Sequence, residues 1–236
     1  MVNVFSKDCY INFLKEVADY FIGRIDSTEK IKELFLLYID NNEEKANQVV
    51  TKLPMIKEQL KADLDFFMLS DPAINSIDDV IYAYPGFKAI VCYRIAHIIF
   101  EVGLFFQARM ISEIAHSLTG IDIHPAAKID CPFFIDHGTG IVIGETAVVG
   151  KGVKLYQGVT LGALSLSNGA KMKGIKRHPT IGDYVTIYSC ASILGDITIG
   201  EKTTIGANVF LTESVGENMK VILGKPELVV SKKKNK

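Results

Sequence analysis

Cysteine is scarce in this 236-residue chain. The four residues, Cys9, Cys92, Cys131 and Cys190, stand far apart, and no pair has metal-ligand or redox-motif spacing. That argues against a disulfide framework or a cysteine-built metal site and favours reduced thiols in a cytoplasmic protein. Charge of one sign is lacking too. The formal net charge is -1, which gives no global attraction to nucleic acid. Met1 to Tyr10 has no basic segment followed by an apolar run, so no secretory leader is expected. A membrane span is also missing. The most apolar stretch, Ala89 to Phe106, contains Arg94, His97 and Glu101, each costly in lipid. It reads as a buried or oligomer-forming helix. The lysine-rich end, Ser231 to Lys236, reads as an untethered soluble tail.

What is present is a beat. Hydrophobic content is 48% and charged content 22%, ordinary for a globular protein. One aliphatic residue returns every sixth position at Ile181, Ile187, Ile193, Ile199, Ile205 and Leu211. Val185, Ala191, Ile197, Thr203, Val209 and Val215 follow each by four. The same spacing runs earlier through Ile123, Ile129 and Ile135, then Ile143, Val149, Leu155 and Leu161. A period of six fits neither an α-helix nor a plain strand. It fits short strands that each form one flat face and then turn, and such units must stack to bury their apolar row. A parallel β-helix is expected.

The beat breaks twice. Ile135 to Ile143 spans eight residues, with the excess near Asp136-His137-Gly138-Thr139-Gly140. Leu161 to Ile181 spans twenty, with a Gly-, Ser- and Lys-rich excursion over residues 162–179. Interruptions of a solenoid extrude loops, and loops carry function.

The first 120 residues read helical instead. Ser6 is a candidate cap for a helix through Phe21. Asp26 and Glu29 have capping-box spacing ahead of Ile31, Leu34 and Phe35. A further helix is expected after Pro54 and is expected to stop at Asp71-Pro72, since the residue before proline disfavours the helical region. Helix resumes from Gly86 to about Leu118, with Gly103 as a possible divide. The period switches at Thr119-Gly120. The expected organisation is therefore a helical unit over 1–120, a β-helix over 121–224 with the 162–179 loop, and a tail over 225–236.

His137 stands in an interruption, beside an acid and among glycines. A hydroxyl nucleophile needs a base near neutral pH, and imidazole is the usual one. Several strings make the pattern more specific: Asp71-Pro72-Ala73, Tyr93-Arg94-Ile95-Ala96-His97, Asp122-Ile123-His124-Pro125, Asp136-His137-Gly138-Thr139-Gly140, Ile143-Gly144-Glu145-Thr146 and Lys176-Arg177-His178-Pro179. In this order, over roughly residues 65–226, the chain resembles the serine O-acetyltransferases, left-handed β-helix enzymes that open cysteine biosynthesis.

That resemblance implies an activity: acetyl transfer from acetyl-CoA to the hydroxyl of L-serine. It implies that His137 is the general base and Asp122 its orienting carboxylate. Asp71, Asp136, Arg177 and His178 are implied to contact serine. Charge agrees, because guanidinium suits the carboxylate of a zwitterion and the acids suit its ammonium. Gly162, Ala163, Ala191, Gly206 and Ala207 match the positions along which the family's CoA lies. No resident cofactor or metal is implied. A homotrimer or a dimer of trimers is implied, with Arg177 and His178 reaching the next subunit's His137. Feedback inhibition by L-cysteine is plausible, because it differs from serine by one atom. The terminal lysines stand where relatives that dock into O-acetylserine sulfhydrylase end in isoleucine, which argues against that complex.

Three rival readings use the same sequence. An acetyltransferase for another hydroxyl, on a sugar, homoserine or a xenobiotic, keeps the coil and the histidine but does not need paired acids with Arg177. A zinc-dependent carbonic anhydrase needs three histidine ligands, for which only His124, His137 and His178 are candidates. A non-catalytic scaffold does not need Asp122, His137, Arg177 and His178 together.

Overall fold

The computed structural model describes residues 7–24, 27–165, 172 and 174–224. Among these described residues six helices come first: α1 (Lys7–Phe21), α2 (Thr28–Tyr38), α3 (Glu43–Ser70), α4 (Ile77–Ala83), α5 (Pro85–Glu101) and α6 (Phe105–Thr119). Ser6, the expected cap of α1, lies outside the described residues. The cap of α2 is Ser27, whose side chain accepts from the Lys30 N–H, rather than the Asp26 of the capping-box reading. Pro54 does not start a helix either. It sits inside α3, which begins at an Asn42 cap. The missing proline N–H is tolerated there because Val49, Leu53, Ile56 and Leu60 bury one continuous face across it. The stop at Asp71 is as expected: its backbone is extended ahead of Pro72.

α5 and α6 are divided at Gly103, whose φ of 81° needs no Cβ. α5 is buried on nearly every side, at Ala89, Ile90, Cys92, Ile95, Ile98 and Ile99 among others. No described helix is long and apolar enough to cross a membrane. α6 closes on Gly120 in the left-handed region, and strands begin two residues later.

The strands are β1 (Asp122–Ile123), β2 (Lys128–Ile129), β3 (Phe133–Asp136), β4 (Val142–Ile143), β5 (Val148–Val149), β6 (Val153–Tyr156) and β7 (Thr160–Gly162). After the excursion come β8 (Thr180–Ile181), β9 (Thr186–Ile187), β10 (Ser192–Leu194), β11 (Thr198–Ile199), β12 (Thr204–Ile205), β13 (Phe210–Leu211) and β14 (Lys220–Val221). They form three parallel sheets in the orders β1-β4-β7-β10-β13, β2-β5-β8-β11 and β3-β6-β9-β12-β14. Every third strand stacks as far as β13, and β14 returns onto β12 past an isolated Ile199–Val215 bridge, so the chain winds as a three-sided parallel β-helix.

The six-residue beat is the inward row. Ile187, Ile193, Ile199 and Ile205 are fully buried, as are Ile135, Leu155 and Leu161. Thr203 is a polar member of the inward set. Its hydroxyl donates to the Gly216 carbonyl and accepts from the Met219 N–H, so the buried group is satisfied.

The helical half is fastened to the first coil by polar anchors. The Tyr93 hydroxyl donates to the Ala127 carbonyl at 2.6 Å and accepts from the Ile129 N–H at 3.1 Å. Arg94 grips the fully buried Asp63 through two nitrogens, at 2.7 and 2.9 Å. Asp63 also accepts from the Phe133 N–H at 2.8 Å. α3 and β3 therefore run alongside each other, with Phe67 packed edge-on to Phe134 at 4.7 Å between ring centres.

Candidate active site

The residues singled out from sequence fall on two corners of the prism. One corner links β3 to β4. Here the chain turns through His137 (φ 55°), Gly138 (84°) and Gly140 (81°), which absorbs the extra residues of the interrupted repeat. A Cβ on Gly138 would lie 2.4 Å from Ile121 Cδ1, so only glycine lets this corner close on the coil below. The imidazole of His137 projects outward. Its side chain is 70% exposed, and Nδ1 lies 3.7 Å from Asp136 Oδ1.

Asp71 reaches the same corner from the C-cap of α3. Its carboxylate accepts from the Tyr84 hydroxyl at 2.7 Å and from the Ala73 N–H at 2.8 Å. Those bonds, the tyrosine's first, hold its carboxyl below the usual carboxylate range, and the charge of His137 adds to the effect. Asp71 is thus an anion at neutral pH. Tyr156 lies nearby, stacked on Tyr188 at 5.0 Å, and feels both Asp136 and Asp71.

Asp122 opens β1 just below, where the Gly140 N–H bonds the Gly120 carbonyl. Its carboxylate is turned to Arg109, at 4.0 Å, on the exposed face of α6. Glu113 and His116 complete that group, the one set of described residues whose possible metal-ligating atoms all lie within 4.8 Å of one another. In the single chain the carboxylate beside His137 is therefore Asp136, and Asp122 is paired elsewhere. His124, His137 and His178 do not form such a group.

The second corner links β4 to β5. Thr146 organises it. Its hydroxyl oxygen accepts from the N–H groups of Arg177, at 2.9 Å, and His178, at 3.1 Å. Its own N–H donates to His178 Nδ1 at 3.1 Å, so the neutral ring carries its proton on Nε2. A Cβ on Gly144 would sit 2.1 Å from that ring. His178 is 7% exposed, and burial, helped by Arg177 and Lys176, pushes its imidazole down to about 4.

Arg177 is held as well. Its guanidinium pairs with the Glu145 carboxylate and donates to the Met172 and Ile175 carbonyls at 3.2 and 3.3 Å. The pairing lowers the Glu145 carboxyl below its ordinary value. A cleft of about 310 Å³ opens beside this corner between Lys128, Glu145, Thr146 and Lys176. The larger cavity, about 720 Å³, is an apolar groove among the helices and touches neither corner.

The residues matched to CoA positions divide. Gly162, Ala163, Gly206 and Ala207 have some surface, and Ala207 is exposed. Ala191 does not: its methyl is fully buried, its carbonyl accepts from the Thr160 N–H and its N–H bonds the Tyr188 carbonyl. Glu145, Thr146, Gly144 and Tyr84 were given no role by sequence. Glu145 and Thr146 lie about thirty residues from their partners, beyond any local signal, but Tyr84 precedes a Pro-Gly step that marks a helix start.

The sequence matches the family described as bacterial transferase hexapeptide (six repeats) over residues 178–213. A plasmid serine acetyltransferase of Synechococcus elongatus is 45% identical over 223 residues, covering 85% of this chain and 70% of the relative. Among solved structures, serine acetyltransferase 1 of Entamoeba histolytica in complex with L-cysteine superposes with a TM-score of 0.79. It is 40% identical, with 89% of this chain and 86% of that chain covered. The serine acetyltransferase of Brucella abortus strain S19 in complex with coenzyme A gives a TM-score of 0.71 at 31% identity, with 91% and 78% covered. By sequence and by fold alike, the chain belongs to the serine acetyltransferase family.

Proposed function

We propose that the chain moves the acetyl group of acetyl-CoA onto the L-serine hydroxyl, giving O-acetyl-L-serine and CoA, with His137 as general base. The observation that carries this reading is the exposed imidazole of His137 on a corner that also gathers Asp71 and Asp136. Serine would place its ammonium against Asp71 and Asp136 and its hydroxyl against the imidazole. His137 takes the hydroxyl proton as oxygen attacks the thioester carbon. The C–S bond breaks, and imidazolium returns the proton to the leaving thiolate.

The substrate's carboxylate needs a cation, and none of the first corner's named groups supplies one besides the histidine. Arg177 supplies it from the next corner of the prism, one sheet away. Two corners of one chain do not meet, but they do when copies close around a three-fold axis, because a head-to-tail ring places unlike surfaces together. A homotrimer is therefore part of the proposal, with a dimer of trimers as a larger form. Asp122 is assigned as the orienter of His137 once Arg109 releases it. His178 anchors the loop that carries Arg177.

Acetyl-CoA enters as co-substrate along the coils near Gly162, Ala163, Gly206 and Ala207. The relative from Brucella abortus is complexed with coenzyme A, and the one from Entamoeba histolytica with L-cysteine. L-cysteine would occupy the serine site here and inhibit. The test is a substrate panel: acetyl-CoA with L-serine, L-homoserine and simple sugars, followed by thiol release. Release with serine far above the others supports the reading. Release with a sugar or homoserine instead of serine overturns it.

A further inference from the structure

We infer that Tyr84 is a positioning residue for the substrate's ammonium group, because its hydroxyl donates to Asp71 Oδ2 at 2.7 Å and fixes where that carboxylate presents its free lone pairs. The inference rests on the proposed contact between Asp71 and the amino group of serine. A carboxylate offers about four acceptor sites on two oxygens. In Asp71 the Ala73 N–H takes one on Oδ1 and the Tyr84 hydroxyl takes one on Oδ2. Both oxygens are thereby pinned, which leaves the remaining lone pairs in fixed directions for the substrate's ammonium.

Tyr84 is itself held from two directions. Its ring meets Phe67 edge-on, at 6.3 Å and 85°. Phe67 lies one turn before Asp71 on α3 and also packs on Phe134 of β3. Two residues after Tyr84, Gly86 presses on β3 so closely that a Cβ would lie 2.2 Å from the Ile135 carbonyl oxygen. The strand so gripped ends at Asp136 and leads directly into His137. Tyr84 thus ties the end of α3 to the end of β3, the two elements whose tips must share one small substrate. The hydrogen bond to Asp71, then burial and the neighbouring carboxylates, push its phenol up to about 12, so the hydroxyl remains a donor throughout the working range. The hydroxyl also lowers the Asp71 carboxyl, which keeps it ionised as the medium becomes acidic.

Tyr84→Phe tests the role, since it removes one oxygen and keeps the ring. The serine KM should rise about tenfold, the scale of one hydrogen bond to a charged group, with kcat and the acetyl-CoA KM within about twofold. That split marks a positioning role, since a loss of folded structure would lower kcat and weaken both substrates together. An unchanged serine KM overturns the inference. So does an equal loss in both KM values and kcat, which would mark a merely structural role. Asp71→Asn separates the underlying reading. If that variant leaves the serine KM unchanged, the ammonium contact itself is wrong. If it raises the serine KM and Tyr84→Phe does not, only the role of Tyr84 is wrong.

Discussion

The guanidinium of Arg177 already holds a carboxylate, that of Glu145, and both side chains are largely buried, at 16% and 30% exposure. The group proposed to receive the carboxylate of serine is therefore occupied by an internal competitor. Glu145→Gln should lower the serine KM about three- to tenfold while leaving the acetyl-CoA KM in place, since an amide competes less well for guanidinium. Arg177→Lys should raise the serine KM more than the acetyl-CoA KM, because ammonium cannot form the two-pronged contact. Steady-state kinetics with each substrate varied in turn measures both.

Replacing His137 removes the base and little else, because its ring projects into solvent. His137→Ala should keep CoA binding and lose about 10²-fold or more in turnover. Asp122→Asn should lose at least about tenfold in kcat with the serine KM nearly fixed, the pattern of an orienting carboxylate. A kinetically silent Asp122→Asn would hand that role to Asp136, the acid that stands beside the ring in the single chain.

His178 links the second corner to pH. Its folded value is depressed to about 4, against about 6.5 in an unfolded chain. Between those values the unfolded chain binds a proton that the folded chain refuses. Stability from this group is complete above about pH 6.5 and declines as pH falls toward 4. Urea midpoints should fall over that interval, and His178→Gln should flatten the fall. Parallel slopes for the two proteins would refute the assignment.

The buried pair of Asp63 and Arg94 fastens α3 and α5 to the first coil. Burial raises the Asp63 carboxyl, and the adjacent guanidinium opposes that. Arg94→Met leaves the carboxylate without its partner and should cost about 3–5 kcal/mol in urea unfolding. A loss under about 1 kcal/mol would mean that the pair is not needed to hold the halves together.

Much of this architecture is legible in the chain. The inward row at Ile181, Ile187 and Ile193 announces itself because each short coil buries one aliphatic residue at the same place. The break between Ile135 and Ile143 marks the His137 corner for the same reason. Helix ends were less legible. Asp26, Ser27 and Thr28 are all cap-forming types in a row, and only backbone geometry selects Ser27. α3 passes Pro54 because tertiary burial outweighs a single lost bond. α4 is too short for a period, although its Ser76–Asp79 capping box was there to be read. The partners at the site were hidden for a different reason. Arg177 with Glu145, and His178 with Thr146, depend on which coils stack across the long excursion, and that information is not local. The pairing of Asp122 with Arg109 depends on how α6 lies against β1.

A site shared between copies makes one measurement decisive. His137→Ala and Arg177→Ala chains, each nearly inactive alone at low serine, would be unfolded together, refolded as an equal mixture and assayed by thiol release. In a closed ring where each site takes His137 from one chain and Arg177 from the next, random assembly restores about one site in four. The account predicts activity near a quarter of the unmutated protein's. Activity no higher than the two variants measured separately would contradict it.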